Sequence, residues 1–153
     1  GDYIMANPMY GQNKFDEAAA AKIGSVIHVS QAKTLSAEES GAYVMLRESE
    51  SAVYTVTLPV VSEGLMFTFI LEAVSGTGDY DITIAQNTSD SNNIVFGNIN
   101  GAATFVDVAH DGFIFDTGTA TAGDCVQVVS DGTSWYIVFG TSSAAGGIDV
   151  YNA

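Results

Sequence analysis

Apolar and polar residues alternate along much of this chain, and the alternation is clearest in residues 52–85. Three runs there, 54–58, 67–72 and 80–84, carry an apolar residue at every second position. Because successive side chains of a strand point to opposite faces, each run predicts a strand with one buried face. Segments rich in turn residues, 59–64 and 75–78, separate the runs. This stretch therefore predicts an antiparallel meander around which the rest of the chain is organised.

Similar short runs occur on both sides of the meander. They predict further strands at residues 25–30, 33–35, 42–47, 94–96, 104–108, 112–116, 125–129 and 135–139. Asp131 and Gly132 lie between the last two strands and form a typical hairpin signal. Alternation in the final strand places Trp135, Ile137 and Phe139 on one face. Short strands separated by turns predict an all-β fold, an antiparallel β-sandwich or barrel of jelly-roll-like type.

The two ends of the chain follow other patterns. Residues 1–11 are rich in apolar side chains without periodicity, which predicts an extended arm that lies on another surface. Residues 13–22 begin with a capping Asn13, continue with two acidic residues and an alanine run, and predict one short helix. At the other end, residues 148–151 form a small apolar hook that is expected to dock on a neighbour.

This pattern divides the chain into an arm and helix at 1–24, a β domain at 25–140 and a tail at 141–153. The predicted partner-binding residues are the large apolar side chains of the arm and the hook: Tyr3, Ile4, Met5, Met9, Tyr10, Ile148, Val150 and Tyr151.

Charge narrows the range of partners. The 153 residues include 18 acidic and four basic side chains, for a net charge of −14, and every Lys and Arg lies within the first 47 residues. Binding to nucleic-acid phosphates or anionic lipids draws on Lys and Arg, so neither nucleic acid nor a membrane is an expected partner. No apolar run approaches the roughly 20 residues of a transmembrane helix, and no signal-peptide pattern opens the sequence.

Candidate reactive groups are few. The sequence has no nucleophile elbow, phosphate-binding loop or zinc-protease motif. Cys125 is the single cysteine and is expected to be a buried small hydrophobe, while His28 is expected to be a polar or partner-facing strand residue. Asp79 and Asp81 could offer oxygens to Ca²⁺, although a solvated strand edge is the preferred interpretation. We therefore predict no catalytic residue, metal or cofactor, and no small-molecule substrate.

Three segments carry a resemblance to a known class of proteins. YTVTLP followed by GLMFTFI (residues 54–70), DITIA (81–85) and AGDCVQVVSDGTSWYIV (122–138) resemble small β-rich structural proteins of tailed-phage virions. The similarity is to capsid decoration, or cement, proteins and to some tail-fibre segments, and the last hairpin is its most specific part. It implies a non-enzymatic homotrimer on the outer surface of the capsid that bridges major capsid proteins.

Two other functions stay open at this point. A tail fibre, spike or other tail component is also structural and shares the resemblance. A carbohydrate-binding module belongs to a different class and would stack a sugar ring on Trp135 or Tyr136, although core packing is the preferred interpretation of one of these two residues.

Overall fold

The structure, a computed structural model, describes residues 24–76, 78–89, 95–102 and 110–153, with Val95 and Phe96 described by their backbone alone. The described chain is all-β, as predicted. Its strands are β1 (Val26–Val29), β2 (Lys33–Thr34), β3 (Tyr43–Arg47), β4 (Tyr54–Thr57), β5 (Glu63–Ala73), β6 (Ile82–Ala85), β7 (Val95–Phe96), β8 (Gly112–Phe115), β9 (Cys125–Asp131), β10 (Trp135–Thr141) and β11 (Ile148–Tyr151). A single 3₁₀ turn spans Ala37–Glu39 in this part of the chain. The predicted arm, the helix at 13–22 and the strand at 104–108 lie outside the described residues.

The strands form two mixed sheets. One has six strands in the order β1-β3-β5-β9-β10-β7, and the other has five in the order β11-β8-β6-β4-β2. Neighbours among β1, β3 and β5 are parallel, as are neighbours among β2, β4 and β6. Antiparallel pairs then join β9 and β10 to β5, and β8 and β11 to β6. The prediction of purely antiparallel sheets is therefore wrong, and neither sheet closes into a barrel within the described ranges.

The first six strands alternate between the two sheets, which also overturns the predicted meander. β4 and β6 are neighbours in the five-stranded sheet, whereas β5 lies in the six-stranded sheet. Residues between β4 and β5 thus carry the chain across to the other sheet instead of reversing it within one. Alternation identifies the buried face of a strand, but it does not identify the strand beside it.

Both sheets contribute to one apolar core. A continuous series of aromatic contacts runs through it, beginning with the rings of Trp135 and Phe67 at 6.2 Å. Phe69 of the six-stranded sheet then meets Phe113 of the five-stranded sheet edge-on at 5.9 Å, and Phe113 meets Phe115 at 6.0 Å. All five rings are fully buried. Each such side chain stabilises the fold by about 1.5–3 kcal/mol through removal from water, so neither sheet is stable without the other.

Tyr54 joins the sheets through hydrogen bonds. Its hydroxyl, carried on β4 of the five-stranded sheet, donates to the carbonyl oxygens of Val29 at 3.1 Å and Arg47 at 2.8 Å. These carbonyls end β1 and β3 of the six-stranded sheet. Burial raises the pKa of Tyr54, so the phenol remains a neutral donor.

The predicted β9–β10 hairpin is confirmed. The strands pair antiparallel, and the Asp131 carboxylate accepts hydrogen bonds from the backbone N–H groups of Thr133 at 2.8 Å and Ser134 at 2.9 Å. These bonds hold the pKa of Asp131 below its ordinary value. Gly132 occupies the left-handed region with φ of 96°, where a side chain would be strained. The turn therefore depends on both residues of the Asp-Gly pair.

Candidate interaction surface

The outer side of the six-stranded sheet is the principal candidate site. The cross-strand register aligns Val26, Tyr43, Thr68, Gln127 and Phe139 in one row across five strands. With strands about 4.8 Å apart, this row extends roughly 19 Å. On β3, β5 and β9 its members alternate with core residues, and an irregularity in β10 places Phe139 on the same side, so the whole row points away from the core.

Two further rows complete this surface, which we call the apolar face. One row joins Met66, Val129 and Tyr136, and the other contains His28, Met45, Ile70, Cys125 and Thr141. Most members of the three rows are hydrophobic, and the Gln127 amide donates to Thr68 Oγ1 at 2.9 Å, so the two central polar groups satisfy each other. The apolar face is therefore a nearly continuous hydrophobic surface.

Among the side chains that the structure describes on the six-stranded sheet, five large hydrophobic ones are strongly exposed, and all belong to this side. Phe139 is 55% exposed, Tyr43 42% and Tyr136 39%, and the flanking residues Val26 and Val138 are 55% and 54% exposed. Isolated exposed apolar side chains are common on protein surfaces, but contiguous ones indicate a contact surface. The apolar face thus has the composition of an interaction site.

A β-bulge determines the orientation of Phe139. Ile137 pairs with Val128 and Phe139 pairs with Gln127, so Val138 is an extra residue in β10. The extra residue shifts the alternation, and the prediction that Phe139 shares the inward face of Trp135 and Ile137 is therefore wrong.

Gly140 fills the next inward position of β10. A Cβ atom there would lie 2.9 Å from Ile99 Cγ1, and Ile99 is itself buried. The interior beside the bulge is therefore already filled by Ile99, which leaves no room for a ring at this point.

Charged groups border both ends of the apolar face: Glu72 and Arg47 at the end near His28, and the register pair Glu63 and Asp131 beyond Met66 and Val129. The Glu72 carboxylate lies 3.2 Å from His28 Nδ1 and 3.2 Å from Arg47 Nη2. The hydrogen bond from His28 and the charge of Arg47 hold the pKa of Glu72 below its ordinary value. None of the three rows contains a carboxylate, and Glu72, two positions after Ile70 on β5, is paired on both oxygens. The centre of the face therefore carries none of the excess negative charge of the chain, which begins at its two ends.

A second cluster of polar groups surrounds Glu48, next to the loop between β5 and β6. Glu48 is buried, and its carboxylate accepts hydrogen bonds from the backbone N–H of Tyr80 at 3.1 Å, from the backbone N–H of Ser75 and from Thr117 Oγ1 at 3.2 Å. Burial opposes ionisation, but these hydrogen bonds outweigh it and keep the pKa of Glu48 below its ordinary value. Glu48 therefore anchors the loop before β6.

Asp81 belongs to the same cluster. Burial raises its pKa, and the nearby carboxylates of Asp116, Asp79 and Glu48 act in the same direction against a backbone hydrogen bond from Thr117. Asp79 and Asp81 are the two residues whose oxygens could bind Ca²⁺ in the sequence-based alternative. Among the described residues, no group of three or more acidic, His or Cys side chains is arranged to hold a metal ion.

The predicted partner-binding residues fall into two groups. Tyr3, Ile4, Met5, Met9 and Tyr10 lie outside the described residues, and their role stays a prediction.

At the other end, the hook interpretation needs correction. Ile148 is 1% exposed in the core, and Val150 packs against the same core, because β11 pairs with β8 as an edge strand of the five-stranded sheet. Their apolar area is used within this chain. Tyr151 is half-buried, and a partner contact through it stays a prediction.

The structure also places the aromatic, histidine and cysteine residues that the sequence indicates as candidates for binding or chemistry. Trp135 is fully buried, so it cannot stack a sugar, whereas the ring of Tyr136 is exposed. His28 is an exposed strand residue on the apolar face, and a partner contact through it stays a prediction. Cys125 is half-buried on the same face, not enclosed in the core, and burial together with Asp124 raises the pKa of its thiol.

The apolar face itself was missed by reasoning from the sequence. One signal was present, because residues 65–67 and 69–71 are apolar at every position, including the outward Met66 and Ile70. A strand with apolar side chains on both faces is covered on both faces or exposes a hydrophobic surface.

Within the described ranges, the structure contains no helix with the length and hydropathy needed to cross a bilayer. Comparison with known proteins found no protein-family model and no curated protein that matches this sequence.

Proposed function

We propose that this chain is a non-enzymatic structural protein of a bacteriophage virion. In this proposal it is a capsid decoration protein, a homotrimer on the outer capsid surface that stabilises the head by bridging major capsid proteins. Its two sheets form a β-sandwich that serves as the scaffold for protein contacts.

The apolar face is the observation that carries the proposal. Its exposed aromatic rings, Tyr43, Tyr136 and Phe139, lie on the outer side of one sheet. Protein interfaces are enriched in aromatic side chains and depleted of charge at their centre, and the apolar face has this composition. The β9–β10 hairpin, which carries the most specific part of the virion resemblance, supplies two of the three rings.

Contacts to the capsid are assigned in this proposal to the first residues of the chain. Tyr3, Ile4, Met5, Met9 and Tyr10 bring apolar area to a partner surface, as expected of a clamp.

The test is cosedimentation of the purified chain with phage heads that lack it. We expect stoichiometric binding that is lost when Tyr3, Ile4 and Met5 are all replaced by serine. A matched control replaces Val53 and Val60, two exposed valines outside the strands, by serine and keeps full binding. Failure of the unaltered chain to bind any head overturns the capsid role.

A carbohydrate-binding module is the second candidate, because exposed aromatic rings also stack on sugars. Of the two aromatic residues that could stack a sugar, Tyr136 is exposed and Trp135 is buried, so Tyr136 is the candidate platform. Cosedimentation with insoluble polysaccharides tests this function, and a tail location is tested by the same binding assay with isolated tails.

A further inference from the structure

We propose that copies of this chain associate with one another through the apolar face of the six-stranded sheet. This inference deepens the oligomeric part of the proposed function and names its surface. It does not depend on the capsid, because copies can associate whether or not they bind a phage head.

The size of the face suits a contact between folded proteins. Aromatic side chains carry about 150–250 Å² each, so the exposed fractions of Tyr43, Tyr136 and Phe139 supply on the order of 300 Å². The largest apolar patch of an ordinary monomer is about 300–600 Å², and a specific interface uses about 800 Å² per partner. With the valines and the half-buried methionines added, the face supplies the central part of such an interface.

The distribution of charge indicates which partner the apolar face binds. The chain carries −14, so two copies repel each other at most orientations, and this repulsion is weakest where surface carboxylates are few. The three rows of the apolar face contain no carboxylate: Glu72 at one end is paired with Arg47 and hydrogen-bonded to His28, and Glu63 and Asp131 lie beyond the other end. A basic partner gains nothing from an uncharged surface. An apolar surface without charge complements another surface of the same kind, and a second copy of this chain carries such a surface.

The bulge in β10 is an independent observation in favour of a contact. It leaves both Val138 and Phe139 exposed, next to Tyr136, at a point where plain alternation would bury Phe139. Bulges often direct a side chain toward a functional surface. The local backbone therefore concentrates apolar side chains on the face.

Sedimentation equilibrium of the full chain tests the proposal. We expect a mass of two or three times 15.9 kDa, since faces can pack in pairs or around a three-fold axis. Combining Tyr43→Ser with Phe139→Ser should raise the dissociation constant roughly 10- to 100-fold, as loss of central interface residues does. The matched control, Thr83→Ser with Ile114→Ser on the outer side of the five-stranded sheet, should keep the mass of the unaltered chain.

Cys125 provides a second readout that needs no variant. It lies on the face beside Ile70 and Thr141 in the register, so association should slow its reaction with a thiol reagent as protein concentration rises. In the double variant the reaction should remain fast at concentrations where the unaltered chain is protected.

Three results would overturn the inference. A mass of 15.9 kDa at every concentration excludes self-association. Slow labelling of Cys125 in such a monomer would mean that residues of the same chain cover the face. Fast labelling in the monomer, with protection only on phage heads, would assign the face to the capsid and leave the proposed function intact.

Discussion

The outer sides of the two sheets differ sharply in composition. Across five strands of the six-stranded sheet, one row reads Val26, Tyr43, Thr68, Gln127 and Phe139. The equivalent row of the five-stranded sheet reads Thr34, Thr57, Ala85, Gly112 and Tyr151. Its neighbouring row reads Thr55, Thr83, Ile114 and Asp149. One outer side is hydrophobic, and the other consists mainly of threonine and small residues.

This difference shows which residues are explained by folding of the chain and which by binding to another protein. Both sheets bury their inner sides in the same core, so folding explains the inner residues of both equally. Threonine on the outer side of a strand combines high strand propensity with a polar surface, as solvent contact requires. Exposed aromatic residues do not provide a polar surface for solvent, so folding and solvent contact leave them unexplained. The apolar face therefore indicates an interaction.

Among single substitutions, the largest expected effect comes from the inner side of the six-stranded sheet. Phe69→Ala should lower the free energy of unfolding by about 3–5 kcal/mol, because it removes a fully buried ring that contacts Phe113 of the other sheet. Urea denaturation followed by circular dichroism measures the change.

Phe139→Ala on the outer side is the matched control. This ring is 55% exposed, and its removal should change stability by less than about 0.5 kcal/mol under conditions where the chain is monomeric. Equal losses for the two variants would contradict the assignment of the two sides.

An intermediate effect on stability is expected at Glu48, whose buried side chain holds the loop before β6 through hydrogen bonds. Glu48→Gln should cost about 1–3 kcal/mol at neutral pH, because it replaces a buried carboxylate that accepts hydrogen bonds from Ser75, Tyr80 and Thr117.

The pH dependence of this loss follows from the lowered pKa of Glu48. A carboxyl group with a lowered folded-state pKa stabilises the fold above its unfolded-state value of about 4.3, and this contribution disappears as the pH falls through the folded-state pKa. The difference in stability between the unaltered chain and Glu48→Gln should therefore shrink during acid titration. A constant difference from pH 7 into strong acid would contradict the role of the ionised carboxylate.

The smallest expected effect concerns the bulge. Deleting Val138 removes the unpaired residue of β10 while Phe139 stays outward and Gly140 stays beside Ile99, so stability should fall by about 1 kcal/mol or less. Thermal unfolding measures the change.

Deleting Gln127 from the central strand β9 is the control for that experiment. It reverses the orientation of the following strand residues relative to β5 and β10, and we expect loss of cooperative folding. Tolerance of both deletions would show that the register is not fixed in the way described.

Local patterns predicted much of this structure from the sequence. The Asp131-Gly132 turn and the alternation in β4 and β5 depend on neighbouring residues alone, and that pattern predicts the buried side chains of these two strands correctly. In β9 the expectation of a buried Cys125 is wrong, because Val126 and Val128 face the core instead. Strand neighbours depend instead on contacts between distant parts of the chain. The crossings between sheets and the mixed pairing therefore had no local signal.

The candidate site was less predictable for a related reason. Phe139 faces outward because Val138 has no partner in β9 and because Ile99, nearly forty residues earlier, fills the interior beside Gly140. Ile148 looked like a docking residue because the position of β8, which it pairs with, was not known from the sequence. Both errors arise from pairing across long separations.

The alternation of the first six strands between two sheets also has a kinetic consequence. Phe67 of β5 pairs with Val128 of β9, sixty-one residues later, and β6 has its second neighbour only in β8. Loop closure over such distances precedes the stabilising contacts, so a high contact order and folding in milliseconds to seconds are expected. During synthesis, β1 to β6 leave the ribosome well before β9 and β10 are available. The nascent chain must therefore keep its hydrophobic strands from aggregating until its last third has been made.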